Sequence, residues 1–141
     1  MARVDFYVLS QSSEQARQHF ACRLAEKAYR LKNTVHIVAG NRADAERLDE
    51  LLWTFRDGSF VPHHIIAAPG DPESPITIGC DSDTVEPRDL LINLCDEVPS
   101  AAKSFPRVAE LVTSDQDSKQ RSRKRYALYR EQGHELNTHN V

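Results

Sequence analysis

Two apolar runs, residues 4–9 and 34–39, are each followed by a stretch of helical periodicity, and this repeated order constrains the fold most. In the first helical stretch Ala16, Phe20, Leu24, Lys27 or Ala28, and Leu31 fall three and four residues apart, the spacing of one helix face. Ser12 or Ser13 can cap its start, with Glu14 in the first turn, and Asn33 closes it. Residues 43–55 repeat the pattern with Ala45, Leu48, Leu51, Leu52 and Phe55. A β-α-β-α order favours parallel strands joined by helical crossovers. Further strands are expected over 64–68, 76–79, 90–94 and 107–112, and a short helix after Pro99. A last helix follows, capped by Ser114 with Asp117 three residues on, and it ends near Gln132, where Gly133 suits the position after the cap. A short edge strand over 134–138 completes the pattern, and residues 69–75 and 81–88 read as loops. The expected fold is α/β: a single-domain, Rossmann-like three-layer sandwich over residues 1–141, with a mostly parallel sheet and helices on both faces.

A chain of 141 residues has room for one such domain, which buries enough surface to fold without disulfide or metal. Its three cysteines, Cys22, Cys80 and Cys95, are odd in number and lack C-x-x-C spacing, so they read as small buried hydrophobes. The apolar runs are too short to span a bilayer and the first residues lack signal-peptide features, so a cytoplasmic location is expected.

Several chemistries lack their residues. The first strand-to-helix turn, Leu9-Ser10-Gln11-Ser12-Ser13, contains no glycine, so the phosphate-binding device of a dinucleotide or P-loop site is missing. His63 and His64 are adjacent and point to opposite faces of a strand, and no H-E-x-x-H occurs, so no metal and no cofactor are expected. Asp96-Glu97, at the end of a central strand, is the best carboxylate pair for an enzyme on this sheet, with His63 as another acid or base; a solvated strand end explains the pair equally well.

The net charge is −3, yet residues 119–130 hold Lys119, Arg121, Arg123, Lys124, Arg125 and Arg130 with no acid, a local charge of +6 that leaves −9 on the rest. Such an island can attract an anionic partner while the body repels bulk nucleic acid. Lys119, Arg123, Tyr126 and Arg130 are spaced to share one helix face. That face suits an acidic peptide with a terminal apolar residue, direct contact with nucleic acid, or plain solvation with Tyr126 turned into the core. The only Trp stands in a cluster of aromatics with Phe55 and Phe60; Trp53 is left toward the flank of its helix, where it can anchor an interface or fill the core.

Asp49-Glu50-Leu51-Leu52-Trp53 followed by Ser59-Phe60-Val61-Pro62-His63 resembles the chi subunit of bacterial DNA polymerase III. So do Asp5-Phe6-Tyr7-Val8-Leu9, Asp89-Leu90-Leu91-Ile92-Asn93-Leu94, and Arg125-Tyr126-x-x-Tyr129-Arg130-x-x-Gly133-x-x-Leu136-x-Thr138, in the same order along nearly the whole chain. The resemblance implies a replication accessory subunit without catalysis of its own. It implies that Val112, Lys119, Arg123 and Tyr126 bind the acidic, Pro-Phe-ending C-terminal tail of single-stranded-DNA-binding protein, with Arg123 on the terminal carboxylate. It implies that Trp53 and Phe60 dock the psi subunit of the clamp-loader complex, or a helicase competing for that surface, and that contact with DNA is mainly indirect. The 65–71 segment departs from the family, which often carries a Gly-rich stretch there.

Overall fold

The computed structural model describes residues 2–58, 60–66, 74–80 and 85–141. The chain runs β1 (Arg3–Val8), α1 (Glu14–Arg30), β2 (Val35–Ala39), α2 (Arg42–Thr54), β3 (His63–Ile65), β4 (Ile76–Cys80), β5 (Leu90–Asn93), a 3₁₀ turn (Ser100–Ser104), β6 (Arg107–Val112), α3 (Gln116–Glu131) and β7 (Glu135–Asn140). All seven strands join one parallel sheet in the order β3-β4-β2-β5-β6-β1-β7. The expected α/β sandwich with a parallel sheet is therefore the fold observed. Part of the strand expected over 64–68, and much of the loops expected over 69–75 and 81–88, lie outside the described residues.

Alternating side chains of each strand build two cores, one per sheet face. On one face Ile37, Ile78, Ile92 and Leu111 pack under α1 and α2. On the other, Val4, Phe6, Leu91, Val108 and Val112 pack under α3 and the 3₁₀ turn, with Tyr129 reaching down from α3. Cys22 lies fully buried in the first core, where burial pushes its thiol up to about 12; Cys80 and Cys95 are only partly covered.

The face that α1 turns to the sheet differs from the expected one. The helix rests on Ala21, Cys22, Ala25 and Ala28, small side chains that let it approach closely, while Phe20 and Leu24 are half-buried and Leu31 is 65% exposed. Two stripes at helical spacing coexist in this helix, and the polar Gln18 and Glu26 disguise the one that is buried. Glu26 is held there by Arg56 at 3.1 Å and Arg30 at 3.6 Å.

The helix ends follow backbone needs. Asn33 does not close α1 as a cap; the helix stops at Arg30 and Lys32 takes a left-handed φ of 65°. The Lys32 N–H then donates to the Tyr29 carbonyl and the Asn33 N–H to that of Ala28, each at 2.9 Å, which is a Schellman ending. Gly133 plays the same part after α3, at φ 83°, as expected, and a Cβ there would meet nothing within 4 Å. Lys32 pays for a conformation that glycine adopts freely. Lys32→Gly should therefore raise stability by about 0.5–1 kcal/mol, and Gly133→Ala should lower it by about 1 kcal/mol. Thermal melts of both variants check the pair; shifts of the same sign would contradict the assignment.

Candidate partner-binding surfaces

The start of α3 is fixed by Asp115 rather than Ser114. Its carboxylate accepts from the Ser118 N–H at 3.1 Å and from the Thr113 hydroxyl at 2.5 Å, while the Ser118 hydroxyl accepts from the Thr113 N–H at 3.1 Å. The Thr113 hydroxyl, then the Ser118 N–H, hold the Asp115 carboxyl below the usual carboxylate range. Ser114 instead donates its N–H to the Gln11 carbonyl, tying the helix entry to the turn after β1. Asp117 sits in the first turn, where a negative charge suits the helix dipole.

From this start α3 presents three sides. Ser118, Arg125 and Tyr129 face the sheet. Lys119, Arg123, Tyr126 and Arg130 line one flank, and Arg121, Lys124 and Leu128 the other. On the first flank Tyr126 is 36% exposed, its ring resting on Phe6 of β1 with centroids 5.4 Å apart. The tyrosine in the core is Tyr129, so the alternative that puts Tyr126 inside does not hold. Neither Lys119 nor Arg123 has an ion-pair partner among the described residues. Val112, at the end of β6, is 1% exposed and belongs to the core below this flank.

The basic island is smaller than its sequence count. Arg125 is 4% exposed, its Nε donating to Glu110 Oε1 at 2.9 Å and its Nη1 to the Asp96 carbonyl at 2.9 Å. Glu110 Oε2 also accepts from Tyr129 Oη at 2.6 Å and Asn93 Nδ2 at 2.8 Å. Burial pushes the Glu110 carboxyl above its ordinary value, against the pull of Arg125 and the hydrogen bonds from Tyr129 and Asn93. Burial first, then the neighbouring Glu110 charge, raises the Tyr129 phenol. Sequence reasoning missed this network, although a lone acid inside the apolar run of β6 signals a partner, because a buried charge without one is very costly.

Asp96 and Glu97 are both exposed, just beyond the end of β5. The Asp96 carboxylate is 70% exposed and pairs with Arg121 at 3.2 Å, while the backbone carbonyls of Asp96 and Glu97 accept from Arg125 and Asn93. They rim an open cleft of about 410 Å³ with Val98, Lys124 and Leu128. His63 is likewise a fastening: its Nδ1 lies 2.6 Å from the Val61 carbonyl oxygen and its Nε2 2.9 Å from that of Asp49, which joins β3 to α2.

The second patch stands at the β3 end of the sheet. Trp53 is 49% exposed and Phe60 66%, with ring centroids 5.4 Å apart, and His63 supports the indole from 4.5 Å. The core under α2 is filled by Ala45, Leu48 and Leu52, so Trp53 is not a core residue. The structure thus brings Lys119, Arg123 and Tyr126 together, brings Trp53 and Phe60 together, and holds the two groups apart.

These features define a parallel, Rossmann-like α/β protein with two separate ring-bearing surface patches. The family described as "DNA polymerase III chi subunit, HolC" matches residues 1–137. The chain is 42% identical over 141 residues to DNA polymerase III subunit chi of Pseudomonas aeruginosa, covering 100% of this chain and 98% of that one. It is 34% identical to the Haemophilus influenzae subunit, covering 96% and 95%, and 31% identical to the Escherichia coli subunit, covering 98% and 97%. The chain belongs to the DNA polymerase III chi subunit family and is a DNA replication protein. Its fold is also similar to one solved in the crystal structure of T4 UvsW, with a TM-score of 0.68 at 8% identity over 99% of this chain and 41% of that one. No helix among the described residues is long and apolar enough to cross a membrane.

Proposed function

We propose that the chain is a non-catalytic, cytoplasmic adaptor, a single domain that couples the polymerase assembly to protein-coated single strands. The Lys119–Arg123–Tyr126 flank of α3 takes the acidic C-terminal tail of single-stranded-DNA-binding protein. Arg123 holds the terminal carboxylate, Lys119 draws in the preceding acids, and the Tyr126 ring walls the site for the last side chain, over a floor that Val112 supports. The observation that carries this reading is the pairing, on one exposed flank, of two cations lacking ion-pair partners among the described residues with a half-exposed ring fixed on Phe6. Charge-assisted hydrogen bonds and an aromatic wall are what an acidic peptide end requires.

The rival reading, direct nucleic-acid binding by the 119–130 helix, loses support because Arg125 is spent on Glu110 and Arg121 pairs with Asp96. Calorimetry with the tail peptide, and with a version lacking its last residue, tests the proposal. Binding in the micromolar range at low salt, lost on truncation, is expected; equal binding of both peptides refutes the carboxylate and ring assignment.

The Trp53–Phe60 patch is the docking surface for the psi subunit, or for a helicase that competes with it. Exposed aromatic pairs of this kind are the usual anchors of protein interfaces. Trp53→Ala should weaken a psi complex by about 2 kcal/mol or more while leaving tail affinity unchanged. Parallel titrations with the two partners check this, and a folded variant that loses both would indicate one shared surface.

A further inference from the structure

The sheet face opposite α3 is only partly roofed. α1 packs over β2 and β6, and in the β1–β7 row beside it Asp5 is buried while Tyr7 and His139 stay part-exposed. Tyr7 and its register partner His139 stack there, with centroids 5.0 Å apart, and Phe20 of α1 closes on Tyr7 at 5.6 Å. The apolar stripe that α1 does not bury, Phe20 and Leu24, forms the wall of a trough. One end is a cleft of about 560 Å³ beside Ser10, Gln11 and His19, and the other a cleft of about 520 Å³ beside Tyr7, Lys27 and Arg30. Phe20, Arg23 and Val141 line both, so the two clefts adjoin along α1.

Its rim along α1 is mainly cationic, while the exposed acid of the β7 row, Glu135, stands at the opposite end of that strand from His139. Arg23, Lys27, Arg30 and Arg56 rim the second cleft, and the acid there, Glu26, is held between Arg30 and Arg56. Asp5, beneath the rings, is 2% exposed and accepts from His139 at 2.9 Å, with Arg3 at 3.2 Å and Arg107 at 3.9 Å. Arg23 lies over the Phe20 ring at 5.6 Å and, like Lys27, has no ion-pair partner among the described residues. A row of rings beside unneutralised cations is the arrangement that holds unpaired nucleotides, with bases stacked on the rings and phosphates at the rim.

We infer that the trough between α1 and the β1–β7 face binds a short stretch of single-stranded DNA, with bases against Tyr7, Phe20 and His139 and phosphates at Arg23 and Lys27. A helix of 17 residues spans about 25 Å, room for roughly four nucleotides. The inference does not rest on tail binding, because Phe6 and Tyr7 are consecutive and face opposite sides of the sheet.

Fluorescence anisotropy of the full chain with labelled oligothymidine tests it. Wild type should bind at low salt. The Arg23→Glu/Lys27→Glu variant, altered only at exposed positions, should bind roughly tenfold or more weakly, with a log–log salt slope smaller by about 1.4. Phe20→Leu should weaken binding with the slope unchanged, a thermal melt confirming that it is folded, and Arg123→Ala should bind like wild type. No binding by wild type at low salt, equal binding by the double variant, loss in Arg123→Ala, or displacement of the oligonucleotide by an acidic Phe-ended peptide would each overturn the inference.

Discussion

Arg125→Ala is expected to melt roughly 10–15 °C below the wild-type chain, a loss of about 3–5 kcal/mol. Among the six cations between residues 119 and 130, it is the one whose guanidinium lies within the molecule against a carboxylate. Removing it leaves Glu110, 0% exposed, with only Asn93 and Tyr129 as donors, and frees the Asp96 carbonyl from its tie to α3. A charge stripped of its partner in that setting costs far more than the pair contributes. The neighbouring Lys124 is exposed, and Lys124→Ala should stay within about 0.5 kcal/mol. The double replacement Glu110→Leu/Arg125→Met should recover only part of the loss, because no buried charge remains but the Tyr129 hydroxyl loses its acceptor. Chemical denaturation of the three variants separates the alternatives. If Arg125→Ala behaved like Lys124→Ala, Arg125 would be a solvated member of the basic face.

Arg123→Ala has the opposite profile: an unchanged melt, and tail affinity reduced by about 2 kcal/mol or more, near thirtyfold. Arg123 is exposed and its side chain makes no hydrogen bond or ion pair among the described residues, so its loss should be felt mainly when a ligand is present. A terminal carboxylate without its proposed bidentate donor loses a charge-assisted pair of hydrogen bonds. Lys119→Ala should have a smaller effect that fades as salt is raised, since an ammonium near solvent acts mainly through screened attraction. Isothermal titration of the tail peptide at two salt concentrations checks both. Wild-type affinity in Arg123→Ala would remove that residue from the site.

The sequence carried the strand and helix order well because β2, β4 and β6 are compact, largely apolar runs that begin just after Asn33, Pro75 and Pro106, whereas β7, Glu135–Asn140, is marked only by the Gly133 that precedes it. It left Trp53 open between interface and core, and the structure decides for the surface because Leu48 and Leu52 already supply the buried side of α2. The burial of α1 was hidden for a physical reason. Ala21, Cys22, Ala25 and Ala28 make a weak hydrophobic signal, yet their small size is what seats the helix, whereas Phe20, Leu24 and Leu31 make a strong signal and stay on the flank. Arg125 was hidden for a different one. It follows two cations, Arg123 and Lys124, and its partner Glu110, with the Asn93 and Tyr129 that also bond Glu110, comes into reach only when β5, β6 and α3 are assembled. The strand order could not be read either, because parallel crossovers of similar length permit several orders.

From β3 to β1 the sheet steps through five strand spacings, about 24 Å at the usual separation. The indole and phenyl pair stands at one margin and the α3 flank near the other, with a rigid hydrogen-bonded slab between them. Two visitors at these margins would neither collide nor compete, and each would arrive with the affinity it has alone. Tension applied between them would run across the strands, loading the ladder hydrogen bonds one row at a time. With a partner held at each margin, as proposed, the protein would be a fixed-length spacer whose mechanical weak point is a strand junction rather than either grip.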